Sequence, residues 1–174
     1  MVEAGIPASS AVESWVGPLD GIQDFEVGTG AVEVKATVST GGFPVKIGSL
    51  EQLDDSIRQP LFIAGIRLSQ TASGQNLPEF VAHTRRVLSR GMGAEQLFSD
   101  RLLAAGYFDA HVDRYPRRFS VAGMRIIEVG EGFPRLTHAS VPMGIRRAKY
   151  EIDFDRVLGE SLGPETVFKK LGVL

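Results

Sequence analysis

The sequence predicts an α/β fold with a central sheet between layers of helices, and three observations carry that prediction. Residues 22–38 hold two runs of strand-forming residues split by Gly28-Thr29-Gly30, a short glycine-rich turn that marks a hairpin. Residues 60–68 are almost continuously apolar, as in a strand buried on both faces. Two helical stretches follow that run, 76–90 with a cap and inward apolar spacing, and 94–105 set off by Gly91, Gly93 and Gly106.

Taken in order, residues 1–8 carry no periodic pattern and read as loose. Ser10-Ala11-Val12-Glu13 has capping-box spacing, with Ser10 as N-cap, and Gly17-Pro18 stops the short helix after Trp15 and Val16. Trp15 reads as a packing residue. Beyond the hairpin, 39–42 is a turn and Phe43 to Ile47 a third strand. Ser49-Leu50-Glu51-Gln52 repeats the capping-box spacing and predicts a helix carrying Leu50, Leu53 and Ile57. The polar stretch 71–77 reads as a loop. Asn76 then caps a helix with Pro78 and Glu79 in its first turn and Phe80, Val81, Thr84, Val87 and Leu88 inward. The next helix closes at Gly106. Residues 118–122 and 124–129 look extended, with Gly123 marking a bulge or bend. Tyr150, Ile152 and Phe154 alternate with Glu151, Asp153 and Asp155, a half-buried strand whose acids face solvent. Pro164 and Glu165 open a last short helix, Lys169 and Lys170 lie in its final turn, and Gly172 follows. No repeat or composition shift marks a second domain, so 1–174 is expected to be one domain.

The chemistry concentrates in the hairpin. If its loop is Gly28-Thr29, Val27 faces Gly30 and Asp24 falls opposite Glu33, on the face that also carries Lys35. Like charges facing each other across a sheet are destabilising, so the pair asks for a cation. With no cysteine or histidine in the run, a hard divalent ion such as Mg²⁺ or Mn²⁺ suits the oxygen donors. The plainer alternative is a solvated hairpin face, since a bare Glu-x-Lys is a common triplet.

Asp24, eight residues, then Glu33-Val34-Lys35 resembles the PD-(D/E)XK nuclease superfamily. Trp15-Val16-Gly17-Pro18, Asp24-Phe25, 32–37, Leu53, 133–136 and 150–152 resemble, more narrowly, a bacterial family of PD-(D/E)XK members without assigned function. The resemblance covers roughly residues 11–158. It implies a restriction-endonuclease-like mixed central sheet flanked by helices, and a Mg²⁺- or Mn²⁺-dependent DNA endonuclease serving restriction or phage defence. It also implies that Asp24, Glu33 and the Val34 carbonyl hold the metal and that Lys35 assists the attacking water. Gln52 is an accessory candidate, against the alternative of an exposed helical glutamine. Gln23 stands where the motif's name has proline. The family implies a longer N-terminal portion, whose helix brings a further acid. Glu13 is the candidate to replace that acid, although capping explains it as well. The alternatives are a degenerate, non-catalytic nuclease-fold subunit of a defence or DNA-modification complex and a nucleic-acid binder without cleavage.

Composition sets the outer limits. Hydrophobic residues at 43% and charged residues at 23% are ordinary for a globular protein, and no apolar run reaches the roughly 20 residues that cross a bilayer. The absence of cysteine excludes a disulfide framework and a thiol nucleophile. A cytoplasmic location is the expectation, with DNA as partner, no membrane, and a homodimer or a larger complex as the assembly. A net charge of −2 excludes a generally basic binder. Phosphate contact then falls to local clusters, Arg114, Arg117 and Arg118 with Arg146, Arg147 and Lys149, which either converge beside the hairpin or stay ordinary loop charges.

Overall fold

The hairpin forms with the register that its two-residue loop dictates. In the computed structural model, which describes residues 1–174, β1 (Phe25–Val27) pairs antiparallel with β2 (Gly30–Thr37), matching Phe25 to Val32 and Val27 to Gly30. Strand β2 then pairs in parallel with β4 (Leu61–Gln75), and β4 pairs antiparallel with β5 (Phe119–Val129). The sheet order is β1-β2-β4-β5, a mixed four-stranded sheet flanked by helices and compatible with a restriction-endonuclease-like fold. Leu61, Phe62 and Ile63 are at most 1% exposed, as expected of a strand covered on both faces.

Each face has its own cover. A separate ribbon of β3 (Pro44–Ile47) and β6 (Tyr150–Asp153) packs on one side, where Ala31, Leu61, Ile63, Ile127 and Val129 meet Phe43, Val45, Ile47 and Phe154. Gly65 admits this layer, since a Cβ there would lie 2.5 Å from the buried Phe154 ring. On the other face α4 (Pro164–Lys170) and the residue after it set Val167 and Leu171 against Val27, Val32, Phe62 and Ile126. A third cluster joins α1 (Ala8–Glu13), α2 (Leu77–Leu88) and α3 (Ala94–Ala104) through Val12, Val81, Leu88 and Phe98, with Trp15 packed against it.

Several local expectations change. Helix α1 begins at Ala8 behind Pro7, so Ser10 lies inside it and no side-chain cap forms. The first residues are not loose: Val2–Ala4 forms a 3-10 turn and Ile6 is 6% exposed. No helix follows Ser49; residues 48–60 run as turns that bury Leu50 and Leu53 and leave Ile57 exposed. Residues 71–75 continue β4 instead of looping, but the ladder breaks after Gln70–Phe119 and resumes only at Gln75, with Thr71 held by its N–H to the Arg118 carbonyl at 3.1 Å and by Thr71 Oγ1 to Ser120 Oγ at 2.9 Å. The bulge is where Gly123 placed it: pairing slips between Arg67–Gly123 and Leu68–Val121, leaving Ala122 over. Asn76 caps α2 with a full Glu79 capping box, but Phe80 points outward. No helix is long and apolar enough to cross a membrane.

Candidate functional site

Asp24 is pinned on two sides. Its carbonyl accepts N–H bonds from Val16 and Gly17, both 3.0 Å, and its Oδ2 accepts the Val34 N–H at 2.8 Å. A strand residue turns its N–H and C=O toward the same neighbour. The Val34 carbonyl is therefore directed at the same opening, where β1 has ended, as the Asp24 carboxylate. Extending the hairpin register by one step from Phe25–Val32 brings Asp24 opposite Glu33.

Glu33 is not on a solvated face. Its strand neighbours on that face are Ala31 and, across β4, Ile63, both wholly buried beneath the β3–β6 ribbon, and Glu33 itself is 2% exposed. The plain reading of the hairpin as a wet charged surface therefore fails. Lys35 Nζ lies 2.6 Å from Glu33 Oε1, and Gln52 Nε2 donates to the same oxygen at 2.7 Å. Gln52 reaches Glu33 from a turn, with its own Oε1 taking the Gly48 N–H at 2.9 Å.

Burial and the nearby Asp24 charge hold the Glu33 carboxyl up at about 7 from an ordinary 4.5, against the lowering pull of Lys35, burial being the largest cause. A raised acid pKa stabilises the fold below the unfolded value, and that stability is lost as pH rises through the folded one. A rise from 4.5 to about 7 corresponds to roughly 3 kcal/mol. Without divalent ions, wild type is therefore expected to lose stability against Glu33→Gln as pH climbs from about 4.5 to above 7. Thermal melts of both proteins across that window check it, and a constant difference in Tm would show that Glu33 is not held neutral.

Oxygen donors of this kind fit a hard divalent cation. No group of three or more His, Cys, Asp and Glu side chains that could hold a metal ion converges in the chain; the hairpin brings two carboxylates together, Asp24 and Glu33.

Gln23 is the residue that sequence reasoning passed over. It is 6% exposed, and its Nε2 donates to the carbonyls of Glu51 and Gln52 at 3.4 and 3.3 Å, tying the turn that carries Gln52 to the hairpin. A polar residue beside a proposed ligand, on the chain leading into the strand, was the only signal for it.

Glu13 does not join the site. It ends α1 and lines a separate depression with Met1, Ser10 and Gly28, toward the turn end of the hairpin. The two basic clusters do not converge either. Arg114 and Arg117 line a groove between α2 and the far half of β4–β5, with Gly74, Phe80 and Tyr115. Arg118 pairs with Glu79 at 2.7 Å and donates to the Gly74 carbonyl. Arg146, Arg147 and Lys149 line another groove, with Gly48, Glu51 and His138. Of the strand acids, Asp155 pairs with Arg67 at 2.8 Å and Asp153 caps the turn after β6.

A search of curated proteins and a search of solved structures each return no match. A family model described as "Putative PD-(D/E)XK family member, (DUF4420)" matches residues 1–155 of the 174. With most of the chain matched and the Asp24, Glu33 and Lys35 hairpin inside the matched part, the protein belongs to this PD-(D/E)XK family.

Proposed function

We propose that the chain is a metal-dependent nuclease that hydrolyses DNA phosphodiester bonds, in the cytoplasm and in the service of restriction or phage defence. The observation that carries this reading is the buried Glu33 with Lys35 at 2.6 Å, on a hairpin that also orients Asp24 through the Val34 N–H. Burying the Glu33 carboxylate beside the half-buried Asp24 is costly as architecture alone, and a site for a cation accounts for it. Mg²⁺ or Mn²⁺ bound by Asp24, Glu33 and the Val34 carbonyl would polarise the phosphate and acidify a bound water. Lys35 pulls the Glu33 pKa down and so favours its ionised form, and its ammonium orients the attacking water or steadies charge developing on phosphate oxygen. Gln52 fixes the Glu33 carboxylate.

The test is cleavage of plasmid and linear DNA in Mg²⁺ or Mn²⁺ by wild type beside Asp24→Asn. Wild type is expected to cleave, and Asp24→Asn to be slower by about a hundredfold or more. Equal cleavage by both proteins would place the activity elsewhere.

One observation favours a second reading, a degenerate subunit of a defence or modification complex. Glu33 Oε1 already has two donors, Lys35 and Gln52, so its charge is answered without a metal. Titration with Mg²⁺ separates the readings: a cation bound only by the native state raises Tm with its concentration, and a degenerate site leaves Tm flat.

A further inference from the structure

The basic groove beside the site has no use in the fold. It encloses about 800 Å³ between residues 48–51 and the segment carrying Ile145, Arg146, Arg147 and Lys149, with His138 at its side. Arg67, Arg85, Arg118 and Arg135 hold Asp155, Asp109, Glu79 and Asp55. Arg146, Arg147 and Lys149 belong to no ion pair. The one acid lining the groove, Glu51, faces His138 Nε2 at 2.7 Å.

Position matters as much as charge. Gly48 and Glu51 belong to the turn that carries Gln52, and Gln52 touches Glu33 at 2.7 Å. The groove therefore opens a few residues from the paired carboxylates. Those carboxylates repel a polyanion, and the chain as a whole carries −2. Approach of a phosphate chain to Glu33 needs a local positive surface that leads to it. The groove contains no Phe, Tyr or Trp, and its one ring, His138, is engaged with Glu51, so it offers little stacking surface for unpaired bases and suits a duplex read through its backbone.

We infer that Arg146, Arg147 and Lys149 form the phosphate-binding track that seats the backbone of duplex DNA beside the Glu33 site. The inference deepens the nuclease reading by naming the duplex-binding surface, and it can stand without cleavage. It also separates this track from the Arg114 and Arg117 groove, which takes no part.

The experiment measures binding of a labelled DNA duplex to the full chain in EDTA, between roughly 50 and 200 mM salt. The proteins compared are wild type, Arg146→Ala/Arg147→Ala/Lys149→Ala, and Arg114→Ala/Arg117→Ala, each with its melting temperature recorded. Each lost phosphate contact removes about 0.9 from the slope of log affinity against log salt. The triple variant is expected to melt like wild type and bind with a slope shallower by about 2 to 3, while the double variant keeps the wild-type slope. An unchanged slope in the triple variant, or equal wild-type affinity for the corresponding single strand, overturns the inference. The two readings fail separately. Cleavage by wild type with an unchanged slope in the triple variant leaves the nuclease and removes the track. A shallower slope without any cleavage keeps the track and removes the nuclease.

Discussion

Lys35→Ala is expected to lower cleavage by about a thousandfold while the protein still folds and, at high enough pH, still responds to Mg²⁺. Lys35 Nζ lies 2.6 Å from Glu33 Oε1 and is the cation nearest the two carboxylates. Removing it deletes the lowering influence on a carboxyl already at about 7, so the Glu33 pKa rises further. Glu33 then stays protonated at neutral pH, which spares the fold a bare buried charge but weakens its hold on a cation. Raising the pH ionises Glu33 again. The Mg²⁺-dependent gain in Tm is therefore expected to be small at pH 7 in Lys35→Ala and to return in more alkaline buffer. Cleavage should not return with it, because the ammonium that orients water or steadies phosphate charge is still missing. If alkaline pH restored cleavage together with the Tm response, Lys35 would serve only to keep Glu33 ionised. Assay and melt on one sample, across pH, decide between the two roles.

The same site shows why only part of this molecule was legible in its sequence. Alternation from Val32 to Val38 and the Gly28-Thr29 turn fixed the register, because both are local properties of a hairpin. Which face of the hairpin would be wet is not local. Glu33 lies under the β3–β6 ribbon, and half of that ribbon is built from residues more than a hundred positions away in the chain. The course of 71–75 was hidden for the same reason, since the contacts that hold it, Thr71 Oγ1 to Ser120 Oγ and Gln75 opposite Phe119, lie across the sheet. Ser49 to Gln52 misled differently. The capping-box spacing is there, yet Leu50 and Leu53 are buried from a chain of turns, and Gln52 commits its side chain to Gly48 and Glu33 instead of a helix surface. Tertiary demand overrode local propensity at the place where the site needed a side chain. Helix α2 was readable because its capping box, apolar spacing and terminal charges agree, while α3 and α4, which lack side-chain caps, showed through Gly93 and Gly106, Pro164, and the acids and bases of their first and last turns.

The turn that made the hairpin recognisable also carries the largest expected stability effect. Gly28 has φ 56, a conformation that favours glycine, and the Thr29 N–H beside it donates to the Leu171 carbonyl at 3.2 Å. A Cβ at Gly28 would overlap that same carbonyl, a backbone atom that cannot rotate away. Gly28→Ala must therefore push the hairpin off the end of α4, opening the contact of Leu171 and Val167 with Val27, Val32 and Phe62. Overlap in a packed core and left-handed strain act together, and the expected loss is roughly 3 to 5 kcal/mol in denaturant unfolding. Gly106→Ala is the control. Gly106 has φ 82, and a methyl group added there would meet open space, so its substitution carries the backbone strain alone, about 1 to 2 kcal/mol. The excess of Gly28→Ala over Gly106→Ala measures how firmly the last helix clamps the hairpin. Equal losses would mean that α4 yields, and that Asp24 and Glu33 are held by the Val34 bond, Gln52 and the β3–β6 ribbon without support from behind.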